Sequence, residues 1–194
     1  SLRKERRSLM PSYAERLTAS ERAAVVAYLR TRKTFWPLEA RERSREIPLA
    51  SENVPFFDRS DRAAVERADD MIAALGIRPG QRVADLGAGT GFYTWRLAQA
   101  VGPAGRVSAV DIQPGMLERA KATVAGHGLV NVEFVLADER DPKLAPASLD
   151  LVFIANAYHE FSEPEVIMRE VRRALKPGGR VFVLERSEEH TSEL

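Results

Sequence analysis

From residue 61 onward the apolar positions fall in two alternating registers: short continuous runs, and longer stripes spaced three or four residues apart. Ala64, Val65, Ala68, Met71, Ile72 and Leu75 form one stripe, closed by Gly76, and predict a helix over 61–75. Pro79-Gly80 is a turn. The run 83–86 predicts a first strand, 93–101 a helix ended by Gly102-Pro-Ala-Gly105, and 107–110 a second strand. Pro114 suits the first turn of a helix over 114–125. Strands follow at 132–136 and 149–155, the latter continuous and apolar like a strand buried on both faces. A helix over 164–175 stops at Lys176-Pro-Gly-Gly179, and 181–184 predicts a fifth strand. Strands alternating with helices imply an α/β fold: a doubly wound, mostly parallel sheet with right-handed crossovers.

That pattern occupies 58–185, and the flanks differ from it. In 1–33, Thr18-x-x-Glu21 is a capping box, and Val25, Val26 and Leu29 share one helical stripe beside Tyr28. Residues 34–57 read as a linker or cap, with Pro48 and Pro55 preventing a long regular element. The charge run Arg41-Glu-Arg-Ser-Arg-Glu46 suits a solvated face. Phe35, Trp36, Phe56 and Phe57 would either plug onto the core or fold over a ligand. The tail 186–194 breaks abruptly from the strand pattern and has no apolar periodicity.

The chemistry concentrates after the first strand. Asp85 ends an apolar run, Gly87, Gly89 and Gly91 form a glycine-rich turn, and a helical segment follows. Such a turn lets the backbone pass close to a ligand, and the helix start offers unpaired N–H groups. The spacing is Gly-x-Gly-x-Gly, with Phe92 where a dinucleotide site needs its third glycine, which disfavours a nicotinamide cofactor.

Asp85-Leu-Gly-Ala-Gly-Thr-Gly91 closely resembles motif I of class I S-adenosylmethionine-dependent methyltransferases. The resemblance continues through Asp111, Leu136-Ala-Asp138, Leu149-Asp-Leu-Val-Phe-Ile-Ala-Asn156 and Leu175-Lys-Pro-Gly-Gly-Arg-Val-Phe-Val183, so five blocks stand in family order. It implies a Rossmann-like methyltransferase core that stops after its fifth strand, because the family's sheet ends in a further antiparallel pair. It also implies S-adenosyl-L-methionine as cofactor. Asp85, Gly87, Ala88 and Gly89 would meet its methionine part, and Thr90 and Gly91 open the helix. Asp111 would either hold both ribose hydroxyls or cap the helix at Pro114. Ile112 and Met116 would flank the adenine, and Asp138 with Glu139 would face its amino group. Asn156-Ala-Tyr-His-Glu160 follows the fourth strand, where Asn156 would line the cofactor and Tyr158 would orient the acceptor. His159 would act as general base or simply line the pocket.

Two further resemblances concern the flanks. Met10-Pro11 with Tyr13, Leu17 and Val26-Ala-Tyr-Leu29 is similar to the C-terminal part of small c-type cytochromes, where the methionine ligates haem. Cys-x-x-Cys-His is absent, so no haem is attachable in this chain, and a plain amphipathic helix with a buried methionine is the other reading. Residues 186–194 resemble a translated sequencing adapter, which marks them as a non-native tail and the core as incomplete.

Composition narrows the partners. A net charge of +1 gives no electrostatic case for nucleic acid or a membrane surface. No apolar run approaches the roughly 20 residues that span a bilayer. The chain lacks cysteine, which removes thiolate metal sites, and no other cluster has metal-ligand spacing. The expected acceptor is therefore a small molecule. A non-catalytic cofactor-binding or interaction module associated with a c-type cytochrome is the alternative. Location points two ways: S-adenosylmethionine is made in the cytoplasm, whereas a genuine cytochrome segment would be exported. The sequence sets no oligomeric state.

Overall fold

A computed structural model describes residues 59–185. The cytochrome-like segment, the linker or cap and the tail at 186–194 lie outside the described residues. The elements are α1 (Arg62–Val65), α2 (Ala68–Ala74), β1 (Arg82–Leu86), α3 (Thr94–Val101), β2 (Arg106–Asp111) and α4 (Pro114–Gly126). They continue with β3 (Val132–Leu136), β4 (Leu149–Ala155), a 3-10 turn (Tyr158–Glu160), α5 (Pro164–Ala174) and β5 (Leu175–Leu184).

The strands pair in parallel in the order β3-β2-β1-β4-β5. From β1 the chain works outward through β2 to β3, then returns to the other side of β1 with β4. The order reverses between β1 and β4, and in such sheets the crevice at the carboxyl ends of those strands is where ligands sit. Val83, Ala84, Asp85 and Leu86 of β1 are all buried, and so are Leu151, Val152, Phe153 and Ile154 of β4. α3 covers one face through Leu97, Ala98 and Val101, and Tyr93 meets Phe153 edge-on at 5.1 Å.

Two element boundaries differ from the sequence pattern. The helix expected over 61–75 is broken at Arg67, whose φ of 46° is left-handed. The break lets both halves bond to α3 and the residues before it. Tyr93 donates its hydroxyl to Glu66 Oε2 at 2.9 Å, and Arg96 Nε pairs with Asp69 at 3.2 Å. At the other end, α5 stops at Ala174 and β5 begins at once. Leu175 pairs with Leu149, pairing resumes at Leu151 with Arg180, and 176–179 bulge out between them. Pro177 disfavours helix at Lys176, and Gly178 takes a φ of 79°, so this stretch bulges rather than continuing α5.

Candidate functional site

β1 delivers the chain into the glycine turn at the switch point. The N–H groups of Gly87 and Ala88 both donate to the Val110 carbonyl, at 2.8 and 3.0 Å, and fold the turn over the end of β2. Gly87 has a φ of 81°, and a Cβ placed there would stand 2.3 Å from the Ala157 Cβ beyond β4. Gly87 is thus required by sterics alone, ligand or no ligand. Gly91 packs against Ala120 of α4. Gly89 is different: its φ is 54°, and a Cβ there would meet no atom of the described residues within 4 Å. Open space lies in front of the turn at that residue.

Two carboxylates flank the turn. Asp85 is 2% exposed and accepts the Thr94 hydroxyl at 2.6 Å. Burial pushes its carboxyl from 3.8 up to about 6, against the Thr94 hydrogen bond, and the negative charge of Asp111 pushes the same way. Asp111 Oδ2 accepts the Gly89 N–H at 2.8 Å, and Oδ1 accepts the Gln113 N–H at 2.9 Å. Burial raises its carboxyl too, opposed by the N–H groups of Gln113, Gly89 and Ile112. The α4 N-cap position is held by Gln113 without a side-chain bond, so Asp111 is not its cap. It ties β2 to the glycine turn instead, and its oxygens keep lone-pair capacity for another donor.

Among the described residues, two buried polar atoms near this turn have no hydrogen-bond partner: Thr90 Oγ1 and Asn156 Oδ1. Asn156 is held in the left-handed region at φ 51° while its N–H donates to the Leu184 carbonyl at 2.7 Å. Leaving such atoms unpaired costs free energy, so their place at the switch point makes them candidate ligand contacts. Ile112 is half-buried just past β2, and Met116 is buried in the first turn of α4. Asp138 and Glu139 are exposed after β3, and Asp138 pairs with Lys143 at 3.1 Å.

The 3-10 turn after β4 carries Tyr158, which is buried, and His159, which is half-exposed. Glu185, the residue just past β5, binds this turn. Its Oε1 accepts the Tyr158 N–H at 2.7 Å, and its Oε2 lies 2.8 Å from His159 Nδ1. Burial raises the Glu160 carboxyl, with Asp111 and Glu185 adding to the rise and His159 opposing it. Glu185 carries no signal in the sequence pattern, because only the β4–β5 pairing puts it at the site, whereas Glu160 lies in the turn after β4 itself. Phe92 lies between guanidinium groups, 3.9 Å from that of Arg62 and 4.3 Å from that of Arg96. The position that is glycine in a dinucleotide fold serves here to anchor α1.

Asp85, Asp111 and Glu160 thus give the crevice a negative field, with an open glycine face and unpaired polar atoms. These features fit a ligand with a cationic centre, hydroxyl groups and an amino acid moiety.

A sequence profile of the methyltransferase domain matches residues 83–179. The ubiquinone/menaquinone biosynthesis C-methyltransferase UbiE of Ectopseudomonas mendocina (strain ymp) is 40% identical over 115 residues, covering 59% of this chain and 45% of that protein. UbiE of Hahella chejuensis (strain KCTC 2396) is 37% identical over 111 residues, covering 57% and 45%. The chain therefore spans about half the length of the curated relatives it matches. The crystal structure of a SAM-dependent methyltransferase from Aquifex aeolicus superposes with a TM-score of 0.70 at 30% identity, covering 75% of this chain and 77% of that one.

Proposed function

The chain belongs to the methyltransferase domain family, and from that premise we propose that it transfers a methyl group from S-adenosylmethionine to a small-molecule acceptor. One observation carries this reading. The open face at Gly89 is bordered in sequence by the unpaired Thr90 Oγ1, its N–H is held by Asp111, and the unpaired Asn156 Oδ1 follows β4. When bound, S-adenosylmethionine supplies an electrophilic methyl on a cationic sulfonium.

The residues divide the remaining work. Asp85 and Asp111 place negative charge against a cationic ligand, and Asp111 has lone pairs for ribose hydroxyls. Asn156 Oδ1 accepts from an ammonium or hydroxyl donor, and Thr90 Oγ1 satisfies a second polar group. Ile112 and Met116 offer apolar flanks for an adenine, with Asp138 and Glu139 at its amino edge. Tyr158 orients the acceptor and His159 takes its proton. Alignment of the acceptor behind the methyl group is the main contribution that such a site makes to rate. The relatives named for ubiquinone and menaquinone biosynthesis support a quinone-type ring as the acceptor class.

Calorimetry with S-adenosylhomocysteine and with NAD tests the reading. Saturable binding of the first and none of the second is expected. The reverse result defeats the proposal. Transfer of labelled methyl to a panel of hydroquinones then tests the acceptor class, and a panel that stays unlabelled removes it.

A further inference from the structure

Glu185 does more than follow β5. Its carboxylate takes the N–H groups of Tyr158 and His159, at 2.7 and 3.3 Å, and the ring nitrogen Nδ1 of His159 at 2.8 Å. An ionised carboxylate only accepts hydrogen bonds, so the ring proton of neutral His159 belongs on Nδ1, and Nε2 carries the lone pair. Glu160 Oε1 stands 3.9 Å from Nε2, outside hydrogen-bonding distance. Among the described residues, the charged groups recorded beside the ring are Glu185, just past β5, and Glu160 from the turn itself. Asp111, at the end of β2, acts on Glu160. Both glutamates favour the protonated ring, which strengthens its pull on a proton.

We propose that Glu185 is the positioning residue for His159, fixing the imidazole through Nδ1 so that Nε2 accepts the acceptor's proton during methyl transfer. The inference rests on the methyl-transfer reading above. In the step, the acceptor atom bonds to the methyl carbon as the carbon–sulfur bond breaks. The electron pair of that bond stays on sulfur, and the proton shed by the acceptor goes to Nε2. Glu185 itself touches no reacting atom.

A merely structural Glu185 would staple the turn without setting the ring, and Glu185→Gln separates the two roles. The amide oxygen still accepts the backbone N–H groups, while the amide nitrogen donates to Nδ1 and drives the ring proton to Nε2. Long-range nitrogen–proton NMR on the ring-labelled full chain reads the tautomer directly, with the signal assigned by its loss in His159→Asn. The Nδ1–H form is expected in the unsubstituted protein. In Glu185→Gln the Nε2–H form is expected, with a ring titration point lower by about one pH unit. An Nε2–H ring in the unsubstituted protein overturns the proposal even where the variant fails to fold. Identical tautomer and titration point in both proteins overturn it as well. S-adenosylhomocysteine binding is measured on the same samples. Its absence defeats the methyl-transfer reading, whereas intact binding with the wrong tautomer defeats only the positioning role.

Discussion

Asp85→Asn should change stability in opposite senses at low and high pH. Asp85 is almost wholly buried at the end of β1, and burial moves its carboxyl from 3.8 to about 6. The folded state thus binds this proton more tightly than the unfolded chain does. Its contribution to stability is present below the ordinary carboxylate range and is lost as pH rises from about 4 to 6. At about 1.36 kcal/mol per pH unit, holding the carboxylate ionised costs the fold about 3 kcal/mol at pH 8 and about half that at pH 5. Asparagine removes this cost and keeps an oxygen for the Thr94 hydroxyl, but it buries amide N–H groups, at a penalty of about 1–3 kcal/mol. At the middle of that range, about 2 kcal/mol, the penalty outweighs the relief at pH 5 and is outweighed by it at pH 8. Relative to the unsubstituted protein, the variant should gain about 1.5 kcal/mol between the two pH values, or about 3–6 °C in melting temperature. Thermal unfolding of both ligand-free proteins at pH 5 and pH 8 measures the difference directly, and other titrating groups cancel in it. A difference that stays constant with pH would refute the claim that burial raises the Asp85 carboxyl.

Three further outcomes follow from the same geometry. If the ligand's ammonium group needs Asp85 ionised, S-adenosylhomocysteine should bind about tenfold more tightly at pH 7 than at pH 5, and a flat calorimetric profile excludes that linkage. Asp111→Asn can accept only one of the N–H groups of Gly89 and Gln113, so it should lose about 1–2 kcal/mol of stability and at least tenfold in ligand affinity. An unchanged melting temperature would show that the glycine turn does not depend on this carboxylate. Gly87→Ala meets both a left-handed φ and the Ala157 Cβ and should cost at least about 2 kcal/mol, whereas Gly89→Ala should cost about 1 kcal/mol yet abolish ligand binding. Equal melting temperatures for the two variants would contradict the described packing.

The sequence by itself determined the element order, the alternation that makes the sheet parallel, and the glycine turn bracketed by Asp85 and Asp111. Those features are local, since side-chain period and turn chemistry need only neighbouring residues. The same locality explains its misses. One apolar stripe over 61–75 does not reveal the break at Arg67, which serves the bonds from Glu66 to Tyr93 and from Asp69 to Arg96. Nor does a Pro-Gly-Gly stretch reveal that it bulges within β5 rather than merely ending α5. The strand order was decided only by tertiary structure, and the site's finer properties follow from it. β1 beside β4 sets Gly87 against Ala157, β1 beside β2 brings Asp111 to the Gly89 N–H, and β4 beside β5 carries Glu185 across 26 residues to His159. Burial in that assembled sheet, not the aspartate itself, lifts the Asp85 carboxyl toward neutral pH, because desolvation depends on every layer packed around it.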